Sequence, residues 1–352
     1  MSERKLATVR IVSSKAPIEG ADFIETVMID GWQCIVKKGE MQPGDKVIYF
    51  EIDSFLPVRE EFEFLRKSSY KRMEGDKEGF RLKTMKLRGT LSQGLAVEFS
   101  LLNLNPDDYN VGDDLTSILN VELYEPPIPI SLRGQVKSTF PSFIPKTDQE
   151  RIQNIPEYFQ RYKDKQYEVT VKLDGTSSTN YFKDGEFGVC SRNMDLIETE
   201  ENLYWQVANK LRLRDILSEL NMNIALQGEI VGPGIQKNRA KLSEITFFLF
   251  DIYDIDNQIY LAPEERLSLL KEINKIAENY NTIIKHVPIY CMPCPFFDYF
   301  PTMEEALEAA DGNTLLDPAT TREGIVCKPM EASKQRNSFK IISNEYLLKN
   351  DG

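Results

Sequence analysis

Over its first hundred residues the chain alternates short apolar runs with clusters of turn-forming residues. The runs are Val9–Val12, Phe23–Ile29, Gln33–Val36 and Val47–Phe50. Asp30-Gly31 and Pro43-Gly44-Asp45 between them are hairpin and turn signals. Short strands at regular spacing predict a small β-barrel, for which an OB-like fold is one candidate. The pattern alone does not separate it from another barrel.

The pattern changes between residues 121 and 145, where periodic runs are few. This stretch is rich in proline, with Pro126, Pro127, Pro129, Pro141 and Pro145. Such a composition is typical of a linker or of an extended packing segment. It predicts a first domain over 1–120, a Pro-rich linker over 121–145 and a second domain over 146–352.

Helical and strand-like patterns are mixed in the second half. Helical spacing runs over Leu203–Leu220 and Pro263–Ile276, and a capping box at Thr302 opens a third helix. Strand-like runs are Phe187–Cys190, Ile224–Glu229, Thr246–Ile252, Ile325–Lys328 and Phe339–Ile342. The predicted fold class is therefore α+β.

Composition excludes several classes of chemistry. At 352 residues, two domains are a better expectation than one. His286 is the single histidine, so a histidine triad or a multi-histidine metal site is excluded. Five scattered cysteines do not form the pattern of a disulfide framework.

The N-terminus leads into a strand instead of the apolar region of a signal peptide, and no apolar run reaches membrane-spanning length. We expect a cytoplasmic or nuclear protein that is not secreted.

The formal net charge of -12 argues at first against a nucleic-acid partner. The segment 66–88 is the exception, with basic residues at Arg66, Lys67, Lys71, Arg72, Lys77, Arg81, Lys83, Lys86 and Arg88, against acidic Glu74, Asp76 and Glu78. Tyr70 and Phe80 within it are candidates for base stacking. This segment is compatible with a basic face that binds nucleic acid and equally with a solvated loop of mixed charge. Our candidates for the nucleic-acid-binding residues are Lys83, Lys86 and Arg88.

The most informative chemistry is at Lys172, which ends an alternating strand-like run two residues before Asp174-Gly175. A lysine held in a fixed direction and desolvated can act as a nucleophile and form a covalent intermediate. Polar residues then interrupt the later strand-like runs in an ordered series, at Arg192, Glu229, Glu323, Lys328 and Lys340, with the aromatic Phe250 among them. Together they are the groups that nucleotidyl transfer needs.

In order and spacing these residues resemble the covalent nucleotidyltransferase superfamily of ligases and mRNA capping enzymes, over essentially all of 146–352. The resemblance implies an ATP-grasp-like ligase domain with antiparallel sheets and flanking helices. Gly31–Glu40 resembles the OB module of the family 5 ATP-dependent RNA ligases. The segment Val231–Gln236 also resembles RNA ligases. One departure is Ser338, where many RNA ligases carry a second lysine, so that role could fall on Lys328 or Lys334.

By this resemblance Lys172 is the residue that becomes adenylated, and its pKa must fall. We expect Lys328, Lys340 and bound metal cations to lower this pKa. The resemblance assigns nucleotide contacts to Arg151, Glu168, Asp174, Gly175, Arg192, Glu229, Phe250, Lys328 and Lys340. Asp174, Glu229 and Glu323 would hold Mg²⁺ or Mn²⁺, largely through water.

The implied function is an ATP-dependent RNA ligase for RNA repair, which joins a 3′-hydroxyl to a 5′-phosphate through lysyl-AMP and RNA-adenylate. Its implied partners are RNA ends, in a nicked duplex or a broken RNA, and we expect a monomer. A GTP-dependent capping enzyme and an RNA-binding protein with an inactive second domain are the alternatives. A third alternative is a metal or redox site at Cys291 and Cys294 near His286, although a single Cys-x-x-Cys lacks the second pair of a zinc site.

Overall fold

The computed structural model describes residues 4–73, 75, 77–126, 132–158 and 164–350. Pro127, Pro129, Glu74 and Asp76 lie outside the described residues. The chain forms two compact units, Met1–Ile128 with Asn344–Gly352, and Pro129–Ser343. The described part of 132–145 packs in the second unit, where Phe140 and Ile144 are buried. The functional domain boundaries at 120 and 145 stay a prediction.

The first unit is built from short strands and a few helical turns. The strands are β1 Ala7–Ile11, β2 Ser14–Pro17, β3 Ile24–Ile29, β4 Trp32–Lys37, β5 Lys46–Phe50, β6 Ser54–Pro57, β7 Tyr70–Arg72, β8 Glu78–Arg81, β9 Met85–Leu87, β10 Thr90–Ser92, β11 Leu95–Val97 and β12 Glu122–Leu123. The helical segments are Arg66–Ser69 and Asn344–Asn350, with 3₁₀ turns at Glu60–Leu65, Phe99–Leu102 and Pro106–Asp108.

These strands pair in the orders β1-β5-β11, β2-β3-β4, β9-β10 and β12-β6-β8-β7. The β3–β4 hairpin turns at Asp30 and Gly31, whose φ angles of 49° and 81° are those of a type I′ turn. This confirms the hairpin that the Asp-Gly pair predicts. Trp32 and Tyr49 stack in the core beneath it. Phe80 is also fully buried, so its predicted availability for base stacking is wrong: its ring packs in the barrel core.

The second unit contains longer strands and the longer helices. The strands are β13 Val136–Thr139, β14 Glu150–Arg151, β15 Tyr167–Lys172, β16 Thr176–Lys183, β17 Glu186–Cys190, β18 Met194–Leu196, β19 Ile224–Val231, β20 Thr246–Asp254, β21 Ile259–Tyr260, β22 Lys285–His286, β23 Ile289–Cys294, β24 Gly324–Pro329 and β25 Phe339–Ile342. The helices are Leu203–Lys210, Leu213–Leu220, Pro263–Glu278, Phe296–Tyr299 and Met303–Ala310, with a 3₁₀ turn at Ile152–Asn154.

Two sheets form this unit. The larger has the order β13-β18-β17-β16-β19-β20-β21, with β22 beside β20, and the smaller has the order β14-β25-β24-β15-β23. The pairs are antiparallel as expected, except for the short parallel pairs β14/β25 and β20/β22. In the smaller sheet Glu168 lies opposite Lys328, and Lys172 opposite Gly324. Because side chains alternate along a strand, Glu168 and Lys172 share one face of β15.

The helix predicted over Leu203–Leu220 is two helices. The chain breaks at Arg212, whose φ of 56° lies in the left-handed region. The apolar spacing continues across the break because both helices bury their apolar side, including Trp205, Leu213 and Ile216. The capping box at Thr302 is confirmed, since the Thr302 hydroxyl accepts from the Glu305 N–H. Within the described residues, none of the helices combines the length and apolar character that crossing a membrane requires.

Candidate active site

Side chains from both sheets of the second unit line one cavity of about 420 Å³. Every residue predicted to bind nucleotide or metal lines this cavity: Arg151, Glu168, Lys172, Asp174, Gly175, Arg192, Glu229, Phe250, Glu323, Lys328 and Lys340. They come from seven segments that are distant in sequence. The structure therefore brings the predicted constellation together.

Lys172 ends β15 and points its ammonium group at a carboxylate. Its Nζ donates a hydrogen bond to Glu323 Oε2 at 2.7 Å. Burial favours the neutral amine, but the negative charges of Glu323, Glu229 and Asp174 outweigh it and raise the pKa of Lys172. The expectation that Lys328 and Lys340 lower this pKa is therefore wrong for the protein alone. Without nucleotide and metal, the nucleophile is held as a cation.

Glu229 faces the same cavity from β19. Burial raises the pKa of its carboxyl group to about 8; Lys172 opposes this rise, while Glu323 and Asp174 add to it. The negative charges of Glu229, Glu323 and Asp174 thus repel one another around the Lys172 ammonium group. A divalent cation would relieve that repulsion, which is the observation that fits Mg²⁺ or Mn²⁺ to these residues.

Among the residues that the structure describes, no three Asp, Glu, His or Cys side chains converge closely enough to hold a metal ion. Contacts of Asp174, Glu229 and Glu323 with a metal ion through its water shell stay a prediction. All five cysteines are free thiols, including Cys291 and Cys294 at the end of the smaller sheet.

A loop that follows Glu229 fixes the turn after Lys172. Arg239 Nε donates to Asp174 Oδ2 at 2.7 Å, and the Gln236 side chain donates to the Gly175 carbonyl at 3.2 Å. Gly175 has no room for a side chain, since a Cβ atom there would lie 2.3 Å from the Ile230 carbonyl oxygen. We did not predict Arg239 as a site residue. Its segment follows the RNA-ligase-like run Val231–Gln236, which was the available signal.

Lys340 and Arg151 lie side by side on the parallel pair β25/β14. Burial, together with the positive charges of Lys172 and Arg151, lowers the pKa of Lys340 to about 8. Two clustered cations close to the nucleophile are suited to phosphate groups.

Lys328 and Phe250 form another part of the cavity wall. The Lys328 ammonium group contacts the Asp251 carboxylate and donates to the Phe250 carbonyl at 3.1 Å. Burial lowers the pKa of Lys328 to about 7. Arg336 Nη1 also donates to Asp251, at 2.6 Å, and sequence reasoning missed this arginine. Lys334, the other candidate for a second lysine role, does not line the cavity.

Arg192 lies at the cavity rim, with a side chain that is 61% exposed. Its guanidinium group pairs with Asp148 at 2.5 Å. An exposed ion pair of this kind is weak and easily exchanged, so Arg192 can turn to a ligand at little cost.

Lys83, Lys86 and Arg88 belong to the first unit. Lys83 is exposed. Lys86 Nζ donates to the Leu348 carbonyl at 2.9 Å, and Arg88 donates to the Gly20 carbonyl at 2.8 Å. Lys86 therefore also holds the helix Asn344–Asn350.

A lysine between two mostly antiparallel sheets, surrounded by carboxylates, cations and one aromatic ring, defines a covalent nucleotidyltransferase. Comparison with protein-family models narrows this class. An OB-fold domain model matches residues 6–99, and the RNA ligase model matches residues 165–342. The chain belongs to the RNA ligase family.

Solved structures of Naegleria gruberi RNA ligase resemble the whole chain. A variant with AMP and Mn is 43% identical, with 99% of each chain covered and a TM-score of 0.83. A variant with ATP and Mn is 43% identical with the same coverage and a TM-score of 0.82. The ligase with PPi is 44% identical, again with 99% of each chain covered, and has a TM-score of 0.81. No curated protein matches the chain.

Proposed function

We propose that this protein is an ATP-dependent RNA ligase of the family 5 type, which joins a 3′-hydroxyl to a 5′-phosphate. The observation that carries the proposal is the convergence of all the predicted nucleotide-binding residues on one cavity around Lys172. The resemblance to ligase structures with ATP and AMP supports the choice of nucleotide.

In the first step, the neutral Lys172 amine attacks the α-phosphate of ATP. A nitrogen–phosphorus bond forms, the bond from the α-phosphorus to the bridging oxygen breaks so that pyrophosphate leaves, and the amine loses one proton to solvent. Arg151 and Lys340 are placed to compensate the charge of the phosphates. Phe250 would stack on the adenine, with Glu229 on the ribose and Arg192 on ribose or phosphate.

Asp174, Glu229 and Glu323 would hold hydrated Mg²⁺ or Mn²⁺. The cation would supply positive charge that favours the neutral amine and stabilises the charge developing on phosphate. The protein's own carboxylates raise the pKa of Lys172, so the Lys172 ammonium group must lose a proton before the amine can attack.

In the second and third steps, AMP passes from Lys172 to the RNA 5′-phosphate, and the 3′-hydroxyl displaces AMP to form the phosphodiester. Lys83, Lys86 and Arg88 would contact RNA phosphates through charge. We also propose that the protein acts as a monomer on nicked or broken RNA in the cytoplasm or nucleus. Five free thiols support a reducing compartment.

The test is sealing of matched nicks, one with RNA and one with DNA strands, by the pre-adenylated protein without added ATP. We expect the RNA nick to be sealed and RNA-adenylate to appear when the 3′-hydroxyl is replaced by hydrogen. Labelling by GTP in preference to ATP, with no sealing, would instead support a capping enzyme.

A further inference from the structure

A fully buried arginine stands directly behind the nucleotide cavity. Arg266, on the helix Pro263–Glu278, has no exposed surface, and its Nη2 pairs with Glu168 Oε1. Glu168 itself lines the cavity, whereas Arg266 does not. The arginine thus touches the wall of the site and not its interior.

Arg266 is itself held from two other sides. Its Nε donates to His286 Nε2 at 3.2 Å, and its Nη1 lies 3.8 Å from Asp251 Oδ1. Burial and the neighbouring arginine lower the pKa of His286 to about 4, so the imidazole is neutral. Its Nδ1 is 2.6 Å from the Val287 carbonyl, which requires the proton on Nδ1 and leaves Nε2 to accept from Arg266. His286, the single histidine of the chain, therefore holds the Arg266 guanidinium group in place, and Arg266 in turn holds the Glu168 carboxylate.

The position of Glu168 suits reading of the base. Glu168 and Lys172 share one face of β15 and are separated by about 13 Å along the strand. Phe250, the proposed stacking ring, lines the same cavity. A nucleotide with its α-phosphate at Lys172 and its base on Phe250 could therefore place that base within reach of Glu168.

A carboxylate accepts hydrogen bonds and cannot donate them. The 6-amino group of adenine donates, whereas the 6-carbonyl oxygen of guanine accepts and would be repelled. The ion pair with the buried Arg266 stops the Glu168 carboxylate from rotating to suit another base.

We propose that Arg266 is a positioning residue for base selection, which holds Glu168 so that its second carboxylate oxygen accepts from the 6-amino group of ATP. The inference rests on the proposed function, because it requires the cavity to bind a nucleoside triphosphate. It assigns roles in ligase specificity to Arg266 and to His286.

The experiment measures kcat/KM for self-nucleotidylation with ATP and with purine riboside triphosphate, which differs only in lacking the 6-amino group. The variants are Arg266→Met, Arg266→Lys, His286→Gln and Glu168→Gln. Arg214→Met is the matched control, since Arg214 forms an exposed pair with Glu198 in the same unit. Because each ratio is taken within one protein preparation, a loss of folded protein lowers both values equally.

We expect Arg266→Met and Glu168→Gln to reduce the preference for ATP by at least about tenfold, the effect of a lost hydrogen bond to a charged group. Arg266→Lys keeps the charge and should retain part of the preference, and His286→Gln should shift it in the same direction by less. Arg214→Met should leave it unchanged. If Arg266→Met does not fold, the ATP preference of Arg266→Lys and His286→Gln tests the inference instead.

A preference for ATP that is equal in all folded variants would overturn the inference, even if their rates fall. Such a result would leave the proposed function intact. The absence of labelling of the wild-type protein by any triphosphate would instead refute the proposed function itself.

Discussion

Lys172 Nζ lies 2.7 Å from Glu323 Oε2, although 151 positions separate the two residues in the chain. The ion pair joins the end of β15 to the residue before β24, so it forms only when the smaller sheet is folded. It also keeps the Lys172 amine protonated, so the rate at which an acylating reagent modifies Lys172 reports on the ion pair.

The first prediction concerns Glu323→Gln. Loss of this carboxylate removes one of the charges that raise the pKa of Lys172, so the amine should become neutral at lower pH. We expect faster acylation of Lys172 in the metal-free, nucleotide-free variant at neutral pH, measured by mass spectrometry of the Lys172 peptide. Glu272→Gln, an exposed change on the helix Pro263–Glu278, should have no effect. Equal acylation rates in Glu323→Gln and wild type would show that the pair does not control the amine.

The second prediction concerns Glu229→Gln and pH. The pKa of Glu229 is raised to about 8 in the folded protein, above the ordinary value of 4.5 that applies when the chain is unfolded. Its contribution to stability is therefore full below pH 4.5 and is lost as the pH rises to about 8. Removing the charge should make the metal-free protein more stable than wild type above pH 8, on the order of 1 to 3 kcal/mol.

Chemical denaturation at pH 5 and at pH 8.5 measures this difference. The advantage of Glu229→Gln should be small at the lower pH and larger at the higher one. Glu272→Gln again serves as the exposed control. An advantage that does not change with pH would contradict the assignment of the raised pKa to Glu229.

The third prediction concerns Gly175→Ala. The added Cβ would meet the Ile230 carbonyl oxygen at 2.3 Å and Glu229 Cγ at 2.8 Å, so the turn after Lys172 must move. We expect a cost of about 1 to 3 kcal/mol in stability and at least a tenfold loss of self-adenylation. Gly185→Ala is the control, because its Cβ would meet nothing within 4 Å. Because Gly185 has a φ of +85°, alanine there should lower the stability of the protein but not displace the turn after Lys172. An equal loss of self-adenylation in both variants would show that the position of this turn is not what Gly175→Ala disturbs.

The fourth prediction separates RNA binding from nucleotide chemistry. Lys83→Glu and Arg88→Glu should weaken nick sealing, more strongly at low salt, while self-adenylation is unchanged. Lys86 is less suitable for this test, because it also holds the Leu348 carbonyl. Lys271→Glu, on the exposed side of the helix Pro263–Glu278, is the matched control. Normal sealing by both variants would remove these residues from the RNA interface.

Sequence reasoning predicted the strands and the cavity residues that local patterns mark. The alternation before Lys172 and the run Phe339–Ile342 correspond to β15 and β25, and the Asp-Gly pair at Asp30 marks a real hairpin. The side chains that support the cavity were missed. Arg239, Arg266 and Arg336 reach their carboxylate partners across 65 to 98 positions, and no local pattern indicates such pairs.

The direction of the pKa shift at Lys172 was missed for a related reason. The residues predict which charges are present, but the balance among Glu323, Glu229, Lys328 and Lys340 depends on distances that only the folded sheets set. The negative charges of Glu323, Glu229 and Asp174 outweigh the effect of burial, and they make the shift of the Lys172 pKa upward. The break at Arg212 was missed because apolar spacing can continue across a backbone turn.

Covalent labelling at Lys172 tests the central claim most directly. The wild-type protein is incubated with Mn²⁺ and ATP labelled at the α-phosphate, in parallel with Lys172→Ala and the control Lys183→Ala, which lies on β16, the next strand along the chain. We predict one labelled peptide that contains Lys172, release of pyrophosphate, loss of label in Lys172→Ala, and unchanged label in Lys183→Ala. Persistent labelling of Lys172→Ala would contradict the account.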